Sequence, residues 1–358
     1  MSAPIDRWLE EYARGQLSRR DFIRRTALAG LGFSATLSLL ASADALAQSP
    51  AASRMPAPSA TPLKTTTGLT TLGFSHPYPG TGIYRGLQKG LKQEGERLGV
   101  ETLESTAEGQ ADKQLAELNT WVDTVGVQAV SILNINGEGL GPFVEHAHEA
   151  GVQVIGYAFD IEGQDGHNVF DNYQGAQLVA DAAIKWINEN VPEGEVQMGL
   201  LTLDTIEVGR VRVHEAERLI IEAIPRVKVV ASAEGTNIAG PAQEATLSML
   251  QANPDIRVII AISDDGQLGA WQAMKQLGLE QQIWSAGYDG LEPVMQAIVD
   301  GELIGVTAAI PLVDIGAANV WVAANLVDGD APGYFDAPYL LVTKDTPELA
   351  AQLIADQQ

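Results

Sequence analysis

The side chains best suited to chemistry in this sequence are short and rich in oxygen, and they recur directly after apolar runs. Ser75 and His76 follow Leu69–Phe74, Asn134 follows Ala129–Leu133, and Phe159 and Asp160 follow Val152–Tyr157. Further along, Asn237 comes after Val227–Ala231, Ser263 and Asp264 after Val258–Ile262, and Asp289 after Ile283–Ala286. Carboxylates and amides pair with hydroxyls, and an aromatic face covers the C–H face of a sugar ring. Converging in one cleft, such a set suits a polyhydroxylated neutral ligand. Each member alone is also what turns and helix caps demand, so the expectation rests on the ensemble.

Other chemistries find little support. The 358 residues contain no cysteine, which excludes disulfides, thiolate catalysis and Cys-ligated metals. Neither a Gly-x-Ser-x-Gly elbow nor a His-Glu-x-x-His pair occurs. His146 and His148, two apart on a predicted helix, point about 200° apart and cannot share a metal from one face. The run from Asp160 to His167 is too sparse in oxygen ligands for a calcium loop. Gly80 to Gly86 approaches a dinucleotide fingerprint, but its last spacing is one residue too long. Trp121, Trp186, Trp271 and Trp321 fall on predicted helices, where core packing is the default. No cofactor is therefore expected. A glycosidase using Asp160 and Asp289 is the enzymatic alternative, yet nothing places an acid and a base at a defined separation. Binding without catalysis is the expectation.

These residues need elements to hold them. Helical spacing covers 83–98, 112–125, 140–150, 176–190, 208–224, 242–251 and 266–277. Between these segments lie short apolar strands, each read as buried on both faces, which is what a parallel sheet requires. The alternation runs through two series, and two series predict two doubly wound α/β domains. In open parallel sheets the ligand sits outside the carboxyl ends of the strands, where the oxygen-rich residues lie.

The N-terminus supplies the compartment. Ser18 to Arg25 carries a twin-arginine pattern, Thr26 to Ala43 is uncharged and mildly hydrophobic, and Ala45-Leu46-Ala47 offers a cleavage site. Residues 1–47 are thus predicted to be a Tat signal peptide, read by the Tat translocase and removed on the way to the periplasm. Residues 48–68, with Pro50, Pro56, Pro58 and Pro62, read as a flexible leader. The formal charge is −24. So acidic a chain is unsuited to nucleic acid or anionic membrane.

From Leu69 to Val342 the chain resembles the ribose/galactose-type periplasmic sugar-binding proteins. The resemblance is carried by Gly73-Phe74-Ser75, by Ala150 to Ile155 leading to Phe159-Asp160, and by Arg210-Val211-Arg212. Ala252-Asn253-Pro254-Asp255, Ser263 to Ala270 and Ala286-Gly287-Tyr288-Asp289-Gly290 complete it, the last two being the most specific. The resemblance implies the type I periplasmic binding protein fold, two α/β domains joined by a three-strand hinge with ligand in the cleft. The first domain would be 69–171 plus 310–338, and the second 172–309 plus 339–358. It also implies a monomer that closes on a sugar and docks on the permease of an ABC importer. Residue by residue, it adds Tyr84 and Arg212 to the ligand contacts and supports Ser75, Asn134, Asp160 and Asp289. Two positions depart from ribose binders: Asn237 stands where those carry an aromatic, and Ala309 lies near a common Gln. Another pentose, a hexose, a polyol or a less polar molecule fits those departures. A chemosensory receptor of the same fold, binding a non-sugar ligand, is the alternative use.

Overall fold

The computed structural model describes residues 65–76, 82–135, 139–331 and 333–358. The expected signal peptide and the leader up to residue 64 lie outside the described residues. The first half of the fold is built from β1 (Thr71–Ser75), α1 (Ile83–Leu98), β2 (Glu101–Ser105), α2 (Ala111–Thr120), β3 (Ala129–Ile132), α3 (Gly141–Glu149), β4 (Gln153–Tyr157) and β5 (Gly166–Phe170). The second half continues with α4 (Asn172–Asn190), β6 (Val196–Thr202), α5 (Glu207–Arg210), α6 (Ala216–Ala223), β7 (Val227–Glu234), α7 (Ala239–Ala252), β8 (Ile256–Ala261), α8 (Asp264–Leu277) and β9 (Trp284–Asp289). The chain ends with α9 (Glu292–Val299), β10 (Gly305–Ala309), α10 (Leu312–Asp328), β11 (Tyr334–Ala337), β12 (Leu340–Val342) and α11 (Pro347–Gln357).

The strands form two six-stranded sheets, ordered β11-β5-β4-β3-β1-β2 and β12-β10-β9-β8-β6-β7. All neighbours are parallel except β12, which runs antiparallel to β10. Central strands such as β3 and β9 are buried along their whole length, as helices on both faces require. The chain passes between the sheets three times: from β5 to α4, from β10 to α10, and from β11 to β12. The two sheets and their helices are here called the first and second lobes.

Three local differences from the sequence expectation have physical causes. Helix α4 begins at Asn172 rather than Ala176, because Asp171 caps it by accepting from the amides of Tyr173 (3.0 Å) and Gln174 (3.2 Å). Strand β5 was not expected. Its Gly-His-Asn-Val-Phe sequence hides a buried polar side chain, Asn168, which donates to the Ile315 carbonyl at 2.9 Å. The helix expected over 208–224 contains a π-helical turn at Val211–Glu215 between α5 and α6, a device that often re-aims a functional side chain. That turn carries Arg212.

Candidate functional site

A cavity opens at the carboxyl ends of the strands, with walls from both lobes. The first lobe contributes Ile83, Tyr84, Leu133, Tyr157, Ala158 and Phe170. From the second lobe come the polar side chains of Arg212, Asn237, Ser263, Asp265 and Asp289, flanked by the apolar Leu203, Ile206, Val208 and Ile262. Its volume, counted over the positions a water centre can take, is about 80 Å³. A cavity holds one water from roughly 10–15 Å³ upward, so this one has room for a small molecule.

The floor of the cavity is an ion pair. Arg212 Nη1 donates to Asp289 Oδ1 at 2.8 Å, and the two side chains are only 4% and 6% exposed. Burial opposes the guanidinium charge, but Asp289 and the hydroxyl of Tyr339 more than offset it and raise the Arg212 pKa. Arg212 Nε also donates to Asn172 Oδ1 (3.0 Å) and to the Tyr339 hydroxyl (3.1 Å), which itself donates to Asn172 Oδ1 (2.9 Å). The guanidinium stacks over Tyr288, 5.0 Å from the ring centroid. A planar fork with five donors suits this many partners where a lysine would not.

Backbone strain marks the same place. Among the described residues, four non-glycine residues have positive φ, and two of these, Ala158 (φ 63°) and Asp289 (φ 103°), line the cavity. Asp264 holds the second strained turn: its Oδ2 accepts from the amides of Gly290 (2.9 Å) and Leu291 (2.7 Å). It is fully buried, and burial, reinforced by the nearby Asp289 charge, pushes its pKa well above the usual carboxylate range. Asp264 thus positions Asp289 from behind the wall. Ser263 caps α8, its Oγ accepting from Gly266 N at 3.2 Å.

Asp265 reaches across the cleft. Its Oδ2 accepts from the amide of Gly82, at the start of α1 in the opposite lobe, at 2.8 Å. A Cβ at Gly82 would lie 2.6 Å from Leu291 Cδ1, so a larger residue there would have to displace the Leu291 side chain. Burial is the main reason the Asp265 carboxyl is raised to about 6; the Asp289 charge adds to it and the Gly82 amide opposes it.

The remaining expected contacts lie elsewhere. Ser75 is fully buried and accepts from Gln114 Nε2 at 3.1 Å. His76 stacks behind Tyr84, with ring centroids 3.8 Å apart, and faces Glu104 at 3.7 Å. That histidine is the main cause of the lowered Glu104 pKa. Asn134, Phe159 and Asp160 line a second, smaller cavity with Thr205, Glu207 and Arg210. Asp160 accepts from Gln164 Nε2 at 2.7 Å. Of the eleven expected residues, Tyr84, Arg212, Asn237, Ser263 and Asp289 share the main cavity. The histidines His146 and His148 pair separately, with Asp123 at 2.8 Å and Asp165 at 3.0 Å.

Residues 72–331 match the family model described as a periplasmic binding protein domain. The chain belongs to that family. A D-apiose import binding protein from Actinobacillus succinogenes is 30% identical over 247 residues, 67% of this chain and 75% of that one. The ribose import binding protein RbsB of Salmonella typhimurium is 26% identical over 251 residues, 68% of this chain and 80% of that one. An ABC transporter solute-binding protein from Mycobacterium smegmatis with bound glycerol superposes with a TM-score of 0.72 and 26% identity, over 79% of this chain and 96% of that one.

In this periplasmic binding protein, two lobes of mostly parallel sheet with three crossings give the type I architecture. Asn172 and Tyr339, which hold Arg212, sit on two of those crossings. The cavity floor and two of the crossings are therefore one hydrogen-bonded unit. Sequence reasoning passed over Tyr157, Phe170 and Asp265. Tyr157 and Asp265 were findable, the first at the end of an expected strand and the second beside Asp264, whereas Phe170 ends β5, a strand the spacing does not show.

Proposed function

We propose that this protein is exported to the periplasm, captures one monosaccharide- or polyol-sized ligand between its lobes, and hands it to an ABC importer without turning it over. The observation that carries the reading is the buried Arg212–Asp289 pair at the base of a cavity that both lobes wall. The names of the relatives, import binding proteins for D-apiose and ribose, support a carbohydrate-like cargo. Ligand contacts drawn from both lobes favour the closed state. The closing bodies are 69–171 plus 310–338 and 172–309 plus 339–358, working as a monomer. The direct contacts are Tyr84, Arg212, Asn237, Ser263 and Asp289, with Asp265 added. Asn134, Phe159 and Asp160 form an outer rim, and Ser75, His76 and Asp264 are supports. The twin arginines at Arg19-Arg20 and the uncharged stretch after them favour the Tat route and a signal peptide over 1–47. Binding without turnover is supported by the separation of the carboxylates: Asp160 belongs to the outer cavity, and Asp289 is engaged by Arg212.

A thermal-shift screen tests the proposal, because a ligand that binds only the folded state raises Tm. Pentoses, hexoses and polyols are compared with amino acids and nucleosides. A rise with a sugar or polyol, unaccompanied by loss of that compound over time, is the expected result. A rise confined to amino acids or nucleosides overturns it.

A further inference from the structure

The two walls of the main cavity differ in kind. Of the six side chains from the first lobe, Ile83, Leu133, Ala158 and Phe170 are wholly apolar, Tyr84 and Tyr157 each add a phenolic hydroxyl, and none is an amide, carboxylate or cation. The amide, both carboxylates, the guanidinium and the aliphatic hydroxyl all come from the second lobe. Most of their capacity is already committed. Arg212 Nε is held by Asn172 and Tyr339, and Nη1 by Asp289 and the Ile262 carbonyl. Ser263 Oγ accepts from Gly266, and Asp265 Oδ2 from Gly82. The lining groups left over for a ligand form a short row on the second lobe, Arg212 Nη2, Asp289 Oδ2, the second oxygen of Asp265, the Ser263 hydroxyl proton and the Asn237 amide, with the Tyr157 hydroxyl added from the first lobe.

A hexose carries a hydroxyl on nearly every carbon, around its whole rim. A hydroxyl turned to an apolar wall loses its water and gains no partner, at a cost of about 1–3 kcal/mol. We propose that the preferred ligand is a two-faced, deoxygenated carbohydrate or polyol. Its hydroxyls line the edge that meets Arg212, Ser263 and Asp289, and C–H or methyl groups line the edge against Ile83, Leu133 and Ala158. The proposal rests on the sugar or polyol reading above and narrows it.

Calorimetric titration of the full chain decides the matter with matched pairs: D-galactose against D-fucose, L-mannose against L-rhamnose, and D-ribose against 2-deoxy-D-ribose. The tightest binder of the panel is expected to be a deoxy sugar, at least about tenfold tighter than its parent. Leu133→Asn, checked for folding by its Tm, supplies a partner on the apolar wall and narrows that ratio. A parent sugar binding as tightly as its deoxy form, or tighter, in every pair that binds overturns this inference and leaves the carbohydrate reading standing. If none of these sugars binds and simple polyols are silent as well, the carbohydrate reading itself falls and takes the inference with it.

Discussion

The two lobes end their strands in similar residues and use them differently. In the first lobe, Ser75, His76 and Asp160 turn to their own neighbours: Gln114 for the serine, Glu104 and Tyr84 for the histidine, Gln164 for the aspartate. In the second lobe, Ser263, Asp289 and the added Arg212 turn to the cavity. A polar strand end is therefore a candidate site residue only until a nearby amide or carboxylate claims it. Gln114 makes this plain: its Nε2 donates to both Ser75 Oγ and the Leu133 carbonyl, tying β1 to the segment after β3. The first lobe offers shape and an apolar face. The second offers direction and charge.

The contrast can be broken by experiment, and the largest effect should come from Arg212. Arg212→Met leaves Asp289 buried without a partner and strips Asn172 and Tyr339 of their donor, which should cost about 3–5 kcal/mol in urea melts and abolish ligand binding. Asp265→Asn comes next. The folded state holds this carboxyl at about 6, above its unfolded value, so the folded state takes up the proton more readily. Its contribution is complete below the unfolded value and is lost as pH rises through about 6. The variant keeps an acceptor for Gly82 and cannot ionise. It should match the wild type at pH 4 and exceed it by about 2 kcal/mol at pH 7 in paired urea melts. A gap that does not grow with pH would show that the cleft does not bury the Asp265 carboxyl against ionisation.

Two smaller substitutions sharpen the comparison. Ser75→Ala and Ser263→Ala should each cost about 1 kcal/mol, the first by removing one of the two acceptors of Gln114 Nε2 and the second by uncapping α8. Only Ser263→Ala should also weaken ligand binding, by about tenfold in calorimetry. Equal losses of affinity in both would erase the distinction between the lobes. Least of all, Asp160→Asn should leave stability within about 0.5 kcal/mol and affinity within about twofold, since its side chain is 71% exposed and lies in the outer cavity.

Much of the fold is legible from spacing. The helix expected over 83–98 is α1 to the residue, and the strand ends that gather Ser263 and Asp289 into one cavity follow from parallel order alone. Strand β5 escaped because its period carries Asn168 inward, and a buried amide reads as surface until Ile315 is beside it. The offset of α4 had a cap, Asp171, in plain sight; the apolar period simply starts later than the hydrogen bonds do. Of the site, the residue types were readable and their allegiance was not.

Local sequence, through apolar period and capping residues, determined most of the segments that are strands and helices, since these depend on neighbours within a few positions. It also placed the oxygen-rich residues at the strand ends. The tertiary structure decided which of them meet a ligand. The ion pair of Arg212 with Asp289 spans 77 residues, and the bond from Gly82 to Asp265 spans 183. The first contact is set by packing within the second lobe and the second by how the two lobes meet, and whether a polar side chain faces the cavity depends on which partner reaches it first.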